Sequence, residues 1–350
     1  MIKTAAISTL ALVNATRETR VNLQVKLAEA QKESTTGRHA DVGLSLGYLT
    51  QRTVSLRQDL ERMTTFKDTN AVAASRLELS QTTLEGVGES AQSFMSTLMA
   101  ARAARPAGGV AVTDAKAMLT SLTASLNTAV NGAYIFAGVN TDVKPVADYF
   151  EQPTSAARTA VSDAFFMEFG MGPSQPGVET ISGAAMTSFL EGAFADLFDP
   201  TGWTSTWSAA SDQNITSRIT TSERIETSAN ANADPFRAIA SVYTMIADLG
   251  VDGLSDEAYY AAIDTAIGVL GKGISDLTQL RAGLGTSQER IKAANDRIDI
   301  QKTLLNEHIT QLEGVDPYEA TANVNALLTQ IETAYALTAR LQNLSLINHI

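Results

Sequence analysis

Stepping alternately four and three residues from Leu49 gives Leu49, Thr53, Leu56, Leu60, Met63, Lys67, Asn70, Ala74, Leu77, Gln81, Leu84, Gly88, Ala91, Met95 and Leu98. Strands repeat every two residues, so a spacing sustained this long can only be one long helix with a packing seam. One set of seam positions is almost wholly apolar. The other holds Thr53, Lys67, Gln81 and Gly88, a mixture too polar for a free two-stranded dimer but suited to a helix among several neighbours. A seam with polar positions such as Lys67 and Gln81 need not lock one register.

Pro106 and Gly108-Gly109 stop the helix, and a shorter helix follows from about Thr113 to Val130. The texture then changes. Asn131-Gly132 marks a turn, Tyr134-Ile135-Phe136 reads as strand, and the chain to about Asp234 is rich in Gly, Ser, Thr and aromatics. One helix is expected there, from about Ser182 to Leu197. Trp203 and Trp207 are read as covering a small sheet, and Asn214 to Thr227 as exposed strands. Asp234-Pro235 starts a helix, Asp as the cap and Pro in the first turn. Breaks are expected near Gly250–Gly253, within Gly268–Asp276 and near Gly283–Gly285. A second seam runs through Ile291, Ala294, Ile298, Gln301, Leu305, Ile309 and Leu312. Asp316-Pro317 with Glu319 restarts the final helix as a capping box, and Val324, Leu327, Ile331, Ala334, Leu337, Leu341 and Leu344 form its stripe. A final helix of some thirty residues would be about 45 Å long.

The expected fold class is therefore mainly α: a long antiparallel helical bundle from the N- and C-terminal segments, with a mixed, mostly β central insert domain. The boundaries fall at 1–40, a terminal helix; 41–132, the first part of the helical body; 133–233, the insert; 234–313, the second part of the body; and 314–350, the final helix.

Composition excludes several functions. The formal net charge of −12 argues against nucleic acid, whose phosphates require a basic face. No apolar run reaches the roughly 18–20 residues of a membrane span. The start, Met1 to Ala15, looks weakly like a secretory signal, but Thr4, Ser8 and Thr9 interrupt its apolar stretch. With no cysteine, disulfides and thiolate metal sites are ruled out. The three histidines, His39, His308 and His349, share no helical turn, and no phosphate loop or nucleophile elbow is present. No catalytic, cofactor-binding or metal-binding residues are assigned, and no cofactor is expected.

The ends are the anomaly. Chain termini are usually polar, yet Ile2, Ala6, Ile7, Leu10 and Val13 crowd one end and Leu341, Leu344, Leu346, Ile347 and Ile350 the other. Each Leu or Ile left in water forgoes roughly 1.5–3 kcal/mol. The ends are read as docking segments that order on assembly, with Ile7, Leu10, Val13, Leu327, Ile331, Leu341, Leu344 and Ile347 as the interface.

Four stretches carry a resemblance: "LAEAQKESTTGRHADVGLSLG" (Leu27–Gly47), "TTLEGVGESAQSFMSTLMAARA" (Thr82–Ala103), "NGAYIFAGVNTDVKPV" (Asn131–Val146) and "LTQIETAYALTARLQNLSLINHI" (Leu328–Ile350). Together they resemble the flagellin superfamily, and within it the branch at the junction of hook and filament. A single Asp41 stands where that family carries paired aspartates, and the insert matches no familiar motif. The resemblance implies a non-enzymatic structural subunit of the bacterial flagellum, exported unfolded through the type III apparatus by an uncleaved N-terminal region. Its implied partners are copies of itself, the adjacent hook-associated protein, flagellin on the filament side, and a cytosolic export chaperone masking the C-terminal helix. Flagellin itself is the alternative, and a secreted helical adhesin or enzyme a further one.

Overall fold

The computed structural model describes residues 9–347, with side chains from 14 to 340 except Pro106. The chain divides into two compact units, Met1–Thr65 with Arg297–Ile350, and Phe66–Asp296.

The smaller unit holds helix α1 (Thr9–Thr36), the short α2 (Val42–Leu46), the start of α3 (Thr50–Ala103), the end of α10 (Asp256–Glu313) and α11 (Pro317–Ile347). Helix α1 stops at Gly37, whose φ of +66° is readily adopted only without a Cβ. Asp41 caps α2 by accepting from the Leu44 N–H at 2.9 Å. Asp316 accepts from the Tyr318 N–H at 2.8 Å and so caps α11, as the sequence suggests.

The larger unit is built around the rest of α3 and α10. They run antiparallel: Asn70 meets Asn295, Gln81 meets Arg281, and Arg102 meets Asp264. Every α3 seam position expected to face inward is buried or half-buried. Helices α4 (Gly108–Leu126) and α9 (Asp234–Asp248) pack on each other. Leu77, Leu84, Phe94, Leu98, Leu119 and Ile239 are at most 1% exposed and belong to one continuous core. Phe94 meets the edge of Tyr243 with ring centres 5.1 Å apart, a geometry favoured by aromatic quadrupoles.

Strands β1 (Ala129–Val130) and β2 (Ala133–Tyr134) form a hairpin closed by Asn131 and Gly132, with φ of +53° and +82°. Two positive φ values are what a type I′ turn requires, so Asn-Gly is the sequence that permits it. Strands β3 (Thr216–Arg218) and β4 (Arg224–Glu226) pair antiparallel within the stretch read as exposed strands.

The insert is mixed, as expected, but its regular structure is more helix than strand. Helices α5 (Ala156–Phe169), α6 (Gly183–Glu191), α7 (Ala193–Asp196) and α8 (Pro200–Thr206) outweigh three short strands. Ser155 caps α5, and Ala157, Val161 and Phe165 bury one face at four-residue spacing. Trp203 and Trp207 do not lie on a strand. A separation of four is one helical turn, and the rings stack at 5.1 Å and 11° at the end of α8.

The expected breaks divide. Gly250 does end a helix: its φ is +62°, and a Cβ there would collide with the Pro173 carbonyl. Gly268, Gly271, Gly273, Gly283 and Gly285 break nothing, and α10 runs through them. Some of them admit close neighbours: a Cβ on Gly273 would press on Ile239 and Ala238. Glycine costs a helix only about 1 kcal/mol per position, which packing along α10 can exceed. At α9, Ala233 takes the cap position and Asp234 lies in the first turn, paired with Arg237. Gln81 does not loosen its seam: it donates to the Arg281 carbonyl at 2.7 Å and ties the two helices.

Tyr243 is 1% exposed, and its hydroxyl has no partner among the described residues. Burial, with Asp114 nearby, pushes its pKa well above the ordinary tyrosine value. The folded chain then keeps a proton that the unfolded chain releases, so stability is full below about pH 10 and falls as pH rises beyond it. Tyr243→Phe loses no hydrogen bond. Denaturant melts should show stability at pH 7 unchanged or raised by about 1 kcal/mol, with alkaline unfolding starting at higher pH than in the parent.

Candidate assembly surface

Among the described residues no group of three or more His, Cys, Asp or Glu could hold a metal ion, and none of the described helices is long and apolar enough to cross a membrane. The feature that remains is the surface of the smaller unit, and it begins with the pairing of α1 and α11.

These helices run antiparallel. Ser34 and Thr321 hydroxyls lie 3.3 Å apart, the Gln24 amide donates to the Tyr335 hydroxyl at 3.2 Å, and the Arg20 guanidinium sits 5.3 Å from the Tyr335 ring centre. The more enclosed positions step four-three on both helices: Thr16, Arg20, Leu23, Leu27, Ala30 and Ser34 on α1, and Ala320, Val324, Leu327, Ile331, Ala334 and Thr338 on α11. This is a two-stranded coiled-coil seam in which seven of the twelve positions are small or polar.

The sequence-predicted interface residues fare differently. Leu327 and Ile331 lie in this seam, 7% and 9% exposed. Leu10 and Val13 are on α1, and Leu341, Leu344 and Ile347 on α11, but their side chains lie outside the described residues, as does all of Ile7. Leu337, placed on the stripe from sequence, is 52% exposed, because the four-three step after Ala334 brings Thr338 inward.

The apolar residues that stay in water are largely others. Val21 and Val25 on α1, Leu328 and Tyr335 on α11, Val54 on α3, and Ile300 and Leu304 on α10 are all exposed. Leu44, Tyr48 and Tyr318 are 84%, 90% and 88% exposed. The smaller unit thus supplies more than half of the exposed large apolar side chains described, while the continuous core lies wholly in the larger unit. Sequence reasoning missed this set because it followed one stripe per helix. Pairs such as Val21 and Val25 were legible as a second face at four-residue spacing.

One buried charge organises the turns beneath this surface. The Glu313 side chain is fully buried. Arg57 holds it with two hydrogen bonds, Nε to Oε1 at 2.9 Å and Nη2 to Oε2, and Arg38 Nη1 lies 3.8 Å away. The carboxylate raises the pKa of the Arg57 guanidinium still further, chiefly through the hydrogen bond. Backbone bonds join the same turns: His39 N–H to the Glu313 carbonyl at 3.0 Å, and Val315 N–H to the Gly37 carbonyl at 3.1 Å. Arg57 is half-exposed, so solvent screens part of the pair and its worth falls below the roughly 3–5 kcal/mol of a fully buried one.

The family model of the bacterial flagellin N-terminal helical region matches residues 7–141, and that of the bacterial flagellin C-terminal helical region matches residues 267–350. Together they span more than half the chain. The chain belongs to the flagellin superfamily. It is accordingly a structural subunit of the bacterial flagellum, and the family points to a structural protein rather than an enzyme. A solved structure provisionally assigned as a flagellar hook-associated protein from Vibrio parahaemolyticus shares the fold, with a TM-score of 0.52 and 9% identity over 76% of this chain and 97% of that one. No curated protein sequence matches this flagellin relative.

Leu327→Ala with Ile331→Ala should loosen α1 against α11 by roughly 2–4 kcal/mol in total, below the usual core cost because both sites are thinly covered. Hydrogen exchange should quicken across residues 16–34 and 320–338 and stay unchanged in the core around Leu84 and Phe94.

Proposed function

We propose that this flagellar subunit joins hook to filament as an adaptor ring at their junction. The observation that carries the reading is the uneven distribution of apolar surface: exposed Val, Leu, Ile and Tyr gather on the unit made from both chain ends. Exposed apolar patches of this kind mark association surfaces. In this reading residues 1–40 and 314–350 are the polymerisation helices, 41–132 and 234–313 the helical body, and 133–233 the variable insert.

Neighbouring copies then cover Val21, Val25, Leu328 and Leu337, and the terminal residues Ile7, Leu10, Val13, Leu341, Leu344 and Ile347 extend the same interface. The adjacent hook-associated protein lies on the hook side and flagellin on the filament side. Export is through the flagellar type III apparatus, with a cytosolic chaperone on the C-terminal helix, and the subunit works outside the cell. The junction, rather than the filament body, is favoured by the Asn131–Val146 stretch and by the likeness to a protein named as hook-associated.

Deleting the gene and imaging the cells tests this. The expected result is hooks without filaments and flagellin shed into the medium. Hooks bearing normal filaments would overturn it. Cells in which the filament protein itself is missing would assign the chain to flagellin instead, as would long filaments grown from purified protein on seeds.

A surface variant separates assembly from folding. Val21→Ser, Val25→Ser and Leu328→Ser together should change monomer stability by no more than about 0.5 kcal/mol per site, since all three are exposed. Incorporation into flagella, scored by immunogold labelling, should be lost.

A further inference from the structure

We infer that the buried Glu313 carboxylate and its Arg57 partner set the register in which the first and last helices of the chain pair. The α1–α11 seam cannot set it unaided. Its enclosed positions mix small, polar and apolar residues on both helices, and sliding one helix past the other by seven residues again places seam against seam. The polar ties across the pair, Ser34 to Thr321 and Gln24 to Tyr335, are exposed and worth little each, so a slip costs chiefly those ties and the overlap lost at the ends.

The closed end of the pair is different. Glu313 is fully enclosed, so in this arrangement its charge has to be met by a partner. Arg57 from α3 meets it bidentately, and Nη1 of Arg38, one residue after the α1 stop at Gly37, lies 3.8 Å from the same Oε2 that Arg57 Nη2 bonds. The bond from the His39 N–H to the Glu313 carbonyl and the bond from the Val315 N–H to the Gly37 carbonyl then fix the turn after α1 directly against the turn before α11. A slip by one heptad would break both backbone bonds and draw Arg38 away from the carboxylate. Glu313 is therefore a positioning residue: it chooses among pairings the seam leaves nearly equal. Which exposed side chains line up along the outside of the pair follows from that choice.

The absence of cysteine gives a clean background for the test. Ser34→Cys with Thr321→Cys reports the native register, since those hydroxyls lie 3.3 Å apart. Ser34→Cys with Leu328→Cys reports a slip of one heptad. The ratio of native to slipped cross-link, measured on the full chain after mild oxidation, should fall roughly tenfold in Arg57→Met, which strands the buried charge. An unchanged ratio would overturn the inference. Should Arg57→Met fail to fold by circular dichroism, the double variant Arg57→Met with Glu313→Met decides. Replacing a buried ion pair by apolar groups commonly restores stability, so this variant folds. A ratio still well below the parent value supports register control, and a restored parent ratio means the pair serves stability alone.

Discussion

The chain depends on pairing segments that are far apart in sequence, nested one pair inside the next. Arg102 meets Asp264 across 162 residues, Gln81 meets Arg281 across 200, Asn70 meets Asn295 across 225, Arg57 meets Glu313 across 256, and Ser34 meets Thr321 across 287. Each contact closes a longer loop than the one before. Loop closure grows only logarithmically with length, so once an inner pair has formed the next needs few further residues ordered. The physical consequence is a direction of assembly. Pairs near the insert are the least costly to form first, and the pair of chain ends is the costliest to form alone.

That order explains where the polar pins lie. A helix pair with a four-three seam has several nearly equivalent alignments, and apolar contacts alone discriminate poorly among them. Asn70 donates to Asn295 at 2.8 Å and to the Ile219 carbonyl at 3.1 Å, which also fixes the β3–β4 hairpin on the helices. Gln81 fixes a second point, between the Asn70–Asn295 and Arg102–Asp264 contacts. In each case a buried or half-buried side-chain N–H group is satisfied in one alignment and left wanting in a shifted one. Seam positions that look like weaknesses in the sequence thus act as alignment marks.

The same residues show what was legible and what was not. The α3 seam, the Asn131-Gly132 turn, the Asp234-Pro235 start, the Gly250 stop and the Asp316 cap are all local signals, each with its cause within a few residues. All were readable. The continuity of α10 through Gly268, Gly271, Gly273, Gly283 and Gly285 was not, because it depends on neighbours such as Ile239 that lie far off in sequence. Gln81 was misread for the same reason: nothing near it names the Arg281 carbonyl. Trp203 and Trp207 were misread although their spacing of four was visible, because the Gly- and Thr-rich surroundings suggested strand. The apolar residues near the chain ends were visible at once, and beyond Leu327 and Ile331 the side chains read as interface lie outside the described residues. The outward-facing set was hidden, since deciding which of two apolar faces a helix buries requires knowing its partner.

The contrast between the two units follows from these constraints. A unit with a continuous core can bury Phe94, Phe136, Phe165, Phe189, Phe194 and Trp203 at no more than 1% exposure. The α1–α11 pair has only one seam to fill, so two helices of 28 and 31 residues each leave most of their circumference outside it. Apolar side chains on that circumference cost solubility in a free molecule. In the proposed function another surface covers them in the working state. On that proposal a neighbouring subunit supplies the surface, because every copy that joins brings the same helices. The polar and small residues of the seam then have a physical reason: a stronger internal seam would need those same apolar side chains turned inward, and the pair would have less to offer a neighbour.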